Sequence, residues 1–206
     1  MKCKKSIFLL LVMVLLFPSI QCSQIDSDWL EDEKVNNEIQ PPEEVMNLIG
    51  VKEGMVVGEF GAGYGRYTLH LAKKIGGKGI IYANEIDESA LLFLNKRCKE
   101  AGLKNVKTIL GKADDPLFPK NSLDMAFSTL VYHEMDNPVP FMKNLKLALK
   151  PNATVVIVDF DPEKGEEWIK SGRSWKSEVE QAGYEIVKIE KLHERDIIII
   201  LKPKVR

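Results

Sequence analysis

A chain of 206 residues, 45% hydrophobic and 29% charged, holds enough apolar material for one α/β domain of ordinary size and little for a second. Lys and Arg number 29 against 30 Asp and Glu, a balance that excludes a disordered polyelectrolyte and a strongly basic nucleic-acid binder. With the lysines of the first 22 residues set aside, acids outnumber bases by four, so bulk electrostatics gives no hold on a polyanion and the expected partner is a small molecule or another protein.

Lys2, Lys4 and Lys5 make a basic start, and Ser6 to Phe17 is an almost unbroken apolar run ended by Pro18. The run is about 12 residues long, whereas a spanning helix needs roughly 20. Residues 1–22 therefore read as a signal peptide or membrane leader, and the protein as exported: periplasmic, secreted or membrane-anchored. The alternatives are an uncleaved anchor, or a mis-assigned start before a cytoplasmic domain. Cys22 stands where the lipidated cysteine of a bacterial lipoprotein follows such a run and offers a second route to the membrane, although Ser19 and Gln21 occupy places usually held by Leu and a small residue. Cys98 is alone inside the domain, so no disulfide framework is available there, and it reads as a small buried side chain.

Residues 23–41 are polar and acidic, with Trp29, Leu30 and Ile39 as isolated apolar points, and read as a linker or loosely docked arm. Pro41-Pro42 opens a short helix with acids at its start, and the compact domain runs from residue 42 to 206. From there short β-rich runs alternate with helical segments. Strands are predicted at Met55–Phe60, Gly79–Glu85, Val106–Leu110, Leu123–Ser128 and Ala153–Asp159, and helices at Tyr67–Ile75, Glu88–Ala101, Val139–Leu149 and within Trp175–Ala182. Such alternation implies a doubly wound, mostly parallel sheet with helices on both faces. The last two strands, Tyr184–Lys191 and Asp196–Leu201, are separated by too few residues for a parallel crossover, so they pair antiparallel and the final strand is reversed. Ile197–Leu201 has no polar face, which predicts burial on both sides rather than a place at the sheet edge.

Three features converge on a ligand site at one end of this sheet. Glu59-Phe60-Gly61-Ala62-Gly63-Tyr64-Gly65 joins the first strand to a helix; its glycines permit positive φ and close backbone approach, and the helix aims unpaired N–H groups at the turn. Because Arg66 follows Gly65, the spacing is G-x-G-x-G and not the G-x-G-x-x-G of dinucleotide binders, which weakens a nicotinamide-dependent reading. Glu85 ends the second strand, placed to accept hydrogen bonds from both hydroxyls of a ribose. Ala113-Asp114 follows the third strand beside apolar residues, as an adenine needs; Asp87 reads as a helix cap and Asp115 as a structural turn residue.

At these residues the chain resembles the class I S-adenosylmethionine-dependent methyltransferases, over about residues 42–202. The strand Leu123-Asp-Met-Ala-Phe-Ser128, Leu149-Lys-Pro-Asn-Ala153 and the reversed last strand match as well. The resemblance implies a Rossmann-like seven-stranded fold and S-adenosyl-L-methionine as cofactor. It places Glu59 and the backbone of Gly61, Ala62, Gly63 and Gly65 near the methionine moiety, Glu85 on the ribose with Ile86 beside it, and Ala113 and Asp114 at the adenine, with Ser128 completing the set. Glu59 departs from the usual Asp by one methylene.

Methyl transfer from a sulfonium is an in-line displacement for which positioning supplies much of the acceleration. His133 and Tyr132, after the fourth strand, are the candidate catalytic residues: His133 as a general base or as a pocket or packing residue, Tyr132 chiefly as pocket wall. No His or Cys spacing suggests a metal. The stretch Asp161–Trp175 is short and charged, with Trp168 and Trp175 as candidate lid aromatics or core residues. The absence of a large recognition domain favours a small-molecule methyl acceptor. The competing functional class is a catalytically silent S-adenosylmethionine- or nucleoside-binding protein outside the cytoplasm, which the leader favours and the intact glycine turn with Glu85 disfavours.

Overall fold

A computed structural model describes residues 29–162, 164 and 174–204. The leader, Cys22 and Trp168 fall outside this range. Among the described residues no helix is long and apolar enough to cross a membrane. Residues 29–39 form a helix, α1, where the sequence reads as linker. No Gly or Pro interrupts that stretch and its Glu, Lys and Leu residues favour helix, whereas its scattered apolar points hide the period. A break between Pro41 and Pro42 separates this segment from a compact unit, Pro42–Arg206.

That unit begins with α2 (Pro42–Leu48) and continues β1 (Val56–Phe60), α3 (Arg66–Ile75), β2 (Ile80–Glu85), α4 (Glu88–Glu100), β3 (Val106–Leu110) and β4 (Leu123–Thr129). A single 3-10 turn, Tyr132–Glu134, precedes α5 (Pro138–Ala148), β5 (Leu149–Phe160), α6 (Trp175–Gln181), β6 (Tyr184–Leu192) and β7 (Asp196–Pro203). The seven strands form one sheet in the order β3-β2-β1-β4-β5-β7-β6. β1 pairs parallel with β2 and β4, β2 with β3, and β4 with β5, whereas β7 pairs antiparallel with β5 and β6. The predicted Rossmann-like architecture with a reversed last strand is the one observed. The final isoleucine run is internal because β7 inserts between β5 and β6, pairing Ile157 with Ile199 on one side and Ile189 with Ile199 on the other.

Alternation along the strands divides the core into two layers. Val57, Phe127, Val156, Val158 and Ile198 pack with Val45 and Met46 of α2, Tyr67 and Leu71 of α3, and Leu91, Leu94 and Cys98 of α4. Val155, Ile157, Ile197, Ile199 and Leu201 face the other way, against Phe141, Met142 and Leu145 of α5 and Trp175 and Val179 of α6. Trp175 is therefore a core residue and not a lid. Cys98 is buried and free, and burial raises its thiol above the usual range. Asp87 caps α4 by accepting from the Ser89 backbone N–H at 2.8 Å, and Asp115 holds the loop after β3 by accepting from Leu117 N–H at 2.9 Å. The reversed hairpin is anchored from outside the sheet, where the buried Tyr184 hydroxyl donates to the Met142 carbonyl of α5 at 2.8 Å.

Phe127 couples the sheet centre to the helix that follows the glycine turn: it is fully buried on β4 and its ring lies 4.9 Å from that of Tyr67 on α3. Phe127→Ala is expected to lower unfolding stability by about 3–5 kcal/mol, read as a drop in the urea midpoint at unchanged slope.

Candidate functional site

The glycine turn is shaped by close neighbours on two sides. Gly61 has φ 68°, and a Cβ placed there would run into the Val131 side chain from the segment after β4. Gly65 has φ 91° as the N-cap of α3, and its Cβ would strike Leu94 of α4. Gly63, with φ 51°, has open space around it. The backbone itself is tied to β2: Ala62 N–H donates to the Asn84 carbonyl at 2.9 Å, and Gly63 N–H donates to Glu85 Oε2 at 2.9 Å.

Glu85 is held in place by three backbone donors. Besides Gly63, Ile86 N–H and Asp87 N–H donate to its Oε1 at 2.7 and 3.2 Å. This fixes both carboxylate oxygens without consuming all their lone pairs, leaving acceptors for a diol. Glu85 forms part of the wall of a cleft of about 390 Å³ at the C-terminal ends of β1, β2 and β4. Phe60, Gly61, Asn84, Ile86, Ala113 and Asp114 line it from one side, and Val131, Glu134, Met135, Asp136 and Phe141 from the other. The position, beside the point where strand order reverses, is where open α/β sheets take ligands.

Of the residues singled out by sequence, Gly61, Glu85, Ile86, Ala113 and Asp114 therefore come together in the cleft wall. Ile86 projects an exposed apolar side chain beside the fixed carboxylate, and the Asp114 segment is tethered to α5 by Asn144, whose amide donates to the Asp114 carbonyl at 2.9 Å. Ala62, Gly63 and Gly65 shape the turn behind that wall, while Ser128 is buried in β4 and Tyr132 is buried in the second core layer. His133 is close to buried, with its Nδ1 2.7 Å from Asp159 Oδ1. Asn84 and Phe141 are wall residues that the sequence reading did not single out, whereas Val131, Glu134, Met135 and Asp136 belong to the segment after the fourth strand, Thr129–Asp136, that it expects at this end of the sheet. Asp159 was also passed over; the available signal was one acid closing the apolar run Val155–Val158.

Glu59 lies outside the cleft wall. Its side chain is buried beneath the turn, where the Thr68 hydroxyl donates to Oε2 at 2.5 Å. Burial pushes its carboxyl up to about 8, opposed by the Thr68 hydrogen bond and by the positive Arg66, and assisted by the negative Glu85. The extra methylene relative to Asp carries the carboxyl to Thr68 on the first turn of α3.

A carboxyl that is harder to ionise in the folded state than in the unfolded chain stabilises the fold fully below about 4.5, and that contribution is lost as pH rises through about 8. Urea midpoints measured without ligand from pH 5 to pH 8.5 should fall with rising pH. Glu59→Gln, whose amide oxygen still accepts from Thr68, should flatten that slope.

The comparisons with known proteins agree with this geometry. A family model described as a methyltransferase domain matches residues 51–196. Demethylmenaquinone methyltransferases of Geobacillus stearothermophilus and of Listeria monocytogenes are each 27% identical over 116 residues, or 56% of this chain. The chain spans about half the length of these curated relatives, 50% and 49%. Among solved structures, a SAM-dependent methyltransferase from Aquifex aeolicus is 29% identical with a TM-score of 0.69, covering 78% of this chain and 88% of its own. Fibrillarin from Aeropyrum pernix, solved with natively bound S-adenosyl-L-methionine, shares the fold at 19% identity and a TM-score of 0.58, over 74% of this chain and 68% of its own. With the glycine turn, the fixed strand-end acid and the reversed seventh strand in place, this chain belongs to the methyltransferase domain family.

Proposed function

We propose that the protein transfers the methyl group of S-adenosyl-L-methionine to a small-molecule acceptor. The observation that carries this reading is the Glu85 carboxylate, immobilised by three backbone N–H groups in the wall of a cleft large enough for a nucleoside. The residues present fit the cofactor. Glu85 would take the two ribose hydroxyls, Ile86 and Phe141 offer apolar surface for the adenine, and Asp114 borders that end. The open space at Gly63 leaves room for the backbone to approach the methionine portion. Bound there, the cofactor supplies an electrophilic methyl on a positively charged sulfur.

The surrounding residues suit that charge. Glu85, Asp114, Glu134 and Asp136 border the cleft with Lys112 as the basic member of its wall, so the local field favours a cation. The chain's own part in the reaction is to hold the nucleoside, present the methyl and keep water from it. The demethylmenaquinone methyltransferases act, by their name, on a quinone precursor. An acceptor of that size, an aromatic or isoprenoid small molecule, is compatible with a domain of this length. We further propose that residues 1–22 direct export, either as a cleaved leader or through Cys22 as an anchor. Fractionation with protease accessibility tests this, and a full-length species confined to the cytosol would overturn it.

Calorimetry on the full chain should show binding of S-adenosylmethionine and of its demethylated product, and none of NAD. Glu85→Ala should weaken binding of the product by roughly 10- to 100-fold, since it removes a charge-assisted acceptor. Gly61→Ala should abolish it through the collision with Val131. Binding of NAD in preference to either adenosyl compound would overturn the reading. Cofactor binding with no labelled-methyl transfer into any acceptor would instead favour the silent binding protein.

A further inference from the structure

The loop after β3 brings Ala113 and Asp114 to the cleft wall on a tight turn. Lys112 N–H donates to the Asp115 carbonyl at 2.8 Å and Asp115 N–H returns to the Lys112 carbonyl at 3.3 Å, so Ala113 and Asp114 are its two central residues. Three bonds from other elements hold this turn. Before it, Gly111 N–H donates to the Glu85 carbonyl at 2.9 Å. At its tip the Asp114 carbonyl accepts from the Asn144 amide of α5, and after it the buried Pro116 accepts at its carbonyl from Asn84 Nδ2 at 3.0 Å. Leu117 follows with φ 55°, a backbone state that a residue with a side chain keeps only where its surroundings enforce it. Asp114 is thus clamped through its main chain, whereas among the described residues no hydrogen bond or ion pair engages its carboxylate.

Asn84 is out of place by composition. It is 2% exposed near the end of β2, where strand preference and burial both favour an apolar side chain. A buried carboxamide is tolerated when it is bonded, and this one reaches 32 residues along the chain to Pro116. Gly111 makes room for it: a Cβ there would collide with Asn84 Nδ2, and Gly111 is not among the glycines with positive φ, so close approach is what its lack of a side chain serves. The Asn84 carbonyl meanwhile accepts from Ala62 N–H at 2.9 Å. One residue therefore ties the glycine turn through its main chain and the Ala113-Asp114 turn through its side chain.

We propose that Asn84 is a positioning residue for base recognition, holding the Asp114 turn so that the cleft accepts a 6-aminopurine and rejects a 6-oxopurine. The inference rests on the S-adenosylmethionine reading above, in which Asp114 borders the adenine end. A carboxylate accepts from an amino N–H, but an oxygen at the same place sets acceptor against acceptor. That distinction is made only while the carboxylate keeps hydrogen-bond distance and direction. Ala113 and Asp114 are themselves exposed, so the buried Asn84 amide supplies the fixed point and Asn144 the second tether.

Calorimetry on the full chain with S-adenosylhomocysteine and S-inosylhomocysteine, which carries oxygen in place of the purine amino group, tests this. The parent protein should prefer the adenosyl compound by roughly 10- to 100-fold. Asn84→Ala and Asp114→Ala should each bring the two ligands within about 3-fold of one another, and the double variant should lose no further preference, because Asn84 acts through Asp114. A role confined to stability would instead weaken both ligands alike and leave their ratio unchanged. In the ligand-free protein, hydrogen exchange at Lys112 N–H should be at least about 10-fold faster in Asn84→Ala, with Gly111 N–H within about 2-fold of the parent. Asn144→Ala, on a partly exposed face of α5, should reduce the preference by at least about 3-fold and decides the matter if Asn84→Ala does not fold. A parent that binds both compounds equally, a folded Asn84→Ala that keeps the parental ratio, or unchanged exchange at Lys112 would each overturn this inference alone. A parent that binds neither compound would overturn the cofactor reading and this inference with it.

Discussion

The turn after β1 is confined on three sides, and the rest of the site follows from that confinement. Val131 presses on Gly61 from the segment after β4, Leu94 closes on Gly65 from α4, and Glu85 holds Gly63 from β2. Each neighbour comes from a different element, so the turn is in register only when β1, β2, β4 and α4 are all assembled. This is how a loop of small residues, which would otherwise lose much conformational entropy on ordering, becomes a rigid ligand wall. The same contacts make the site a readout of correct folding, because the crossing of three strands and a helix defines its floor.

Acidic residues accumulate at this end of the sheet, and the fold treats each one differently. Glu85 is partly exposed and satisfied by backbone N–H groups; Glu59 is buried with a hydroxyl donor; Asp159 faces an imidazole; Asp196 is buried and gripped by Arg195 through bonds of 2.9 and 3.0 Å. A group surrounded by neutral donors keeps its lone pairs for a ligand, whereas one paired with a cation or a titratable ring is committed to the protein. By that distinction Glu85 is built for an incoming molecule and Asp196 for the architecture of the β6–β7 corner. Glu59, pushed up to about 8 by burial, belongs under the turn and supports α3 through Thr68.

Much of this was legible in the sequence because it depends on local patterns. Alternating apolar runs, glycines at fixed spacing and an acid closing β2 identify the sheet, the turn and Glu85 with no tertiary information. The four-residue gap before Asp196 dictated an antiparallel pair by chain length alone. What could not be read depends on which elements become neighbours. The pairing of Asp159 with His133 spans 26 residues and two strands, and neither residue type announces the other. Trp175 belongs to the core because α6 lies flat on the second face, a fact of packing rather than of composition. Helix 29–39 was hidden because its apolar residues are too few to display a period, although its backbone preferences allow one.

The position of β7 has a consequence for the order of assembly. The strand that comes last in sequence is threaded between β5 and β6, so the sheet cannot gain its outer edge until β7 has emerged and found two partners at once. Contacts between β5 and β7 join residues about 40 positions apart, such as Val158 with Ile198, and closing such separations slows folding relative to a sheet that grows outward in sequence. Until then β5 keeps an unpaired flank of Val155–Val158, an apolar edge of the kind that other chains can join. A nascent or truncated chain lacking its final strand would therefore be exposed to aggregation at the flank that β7 covers.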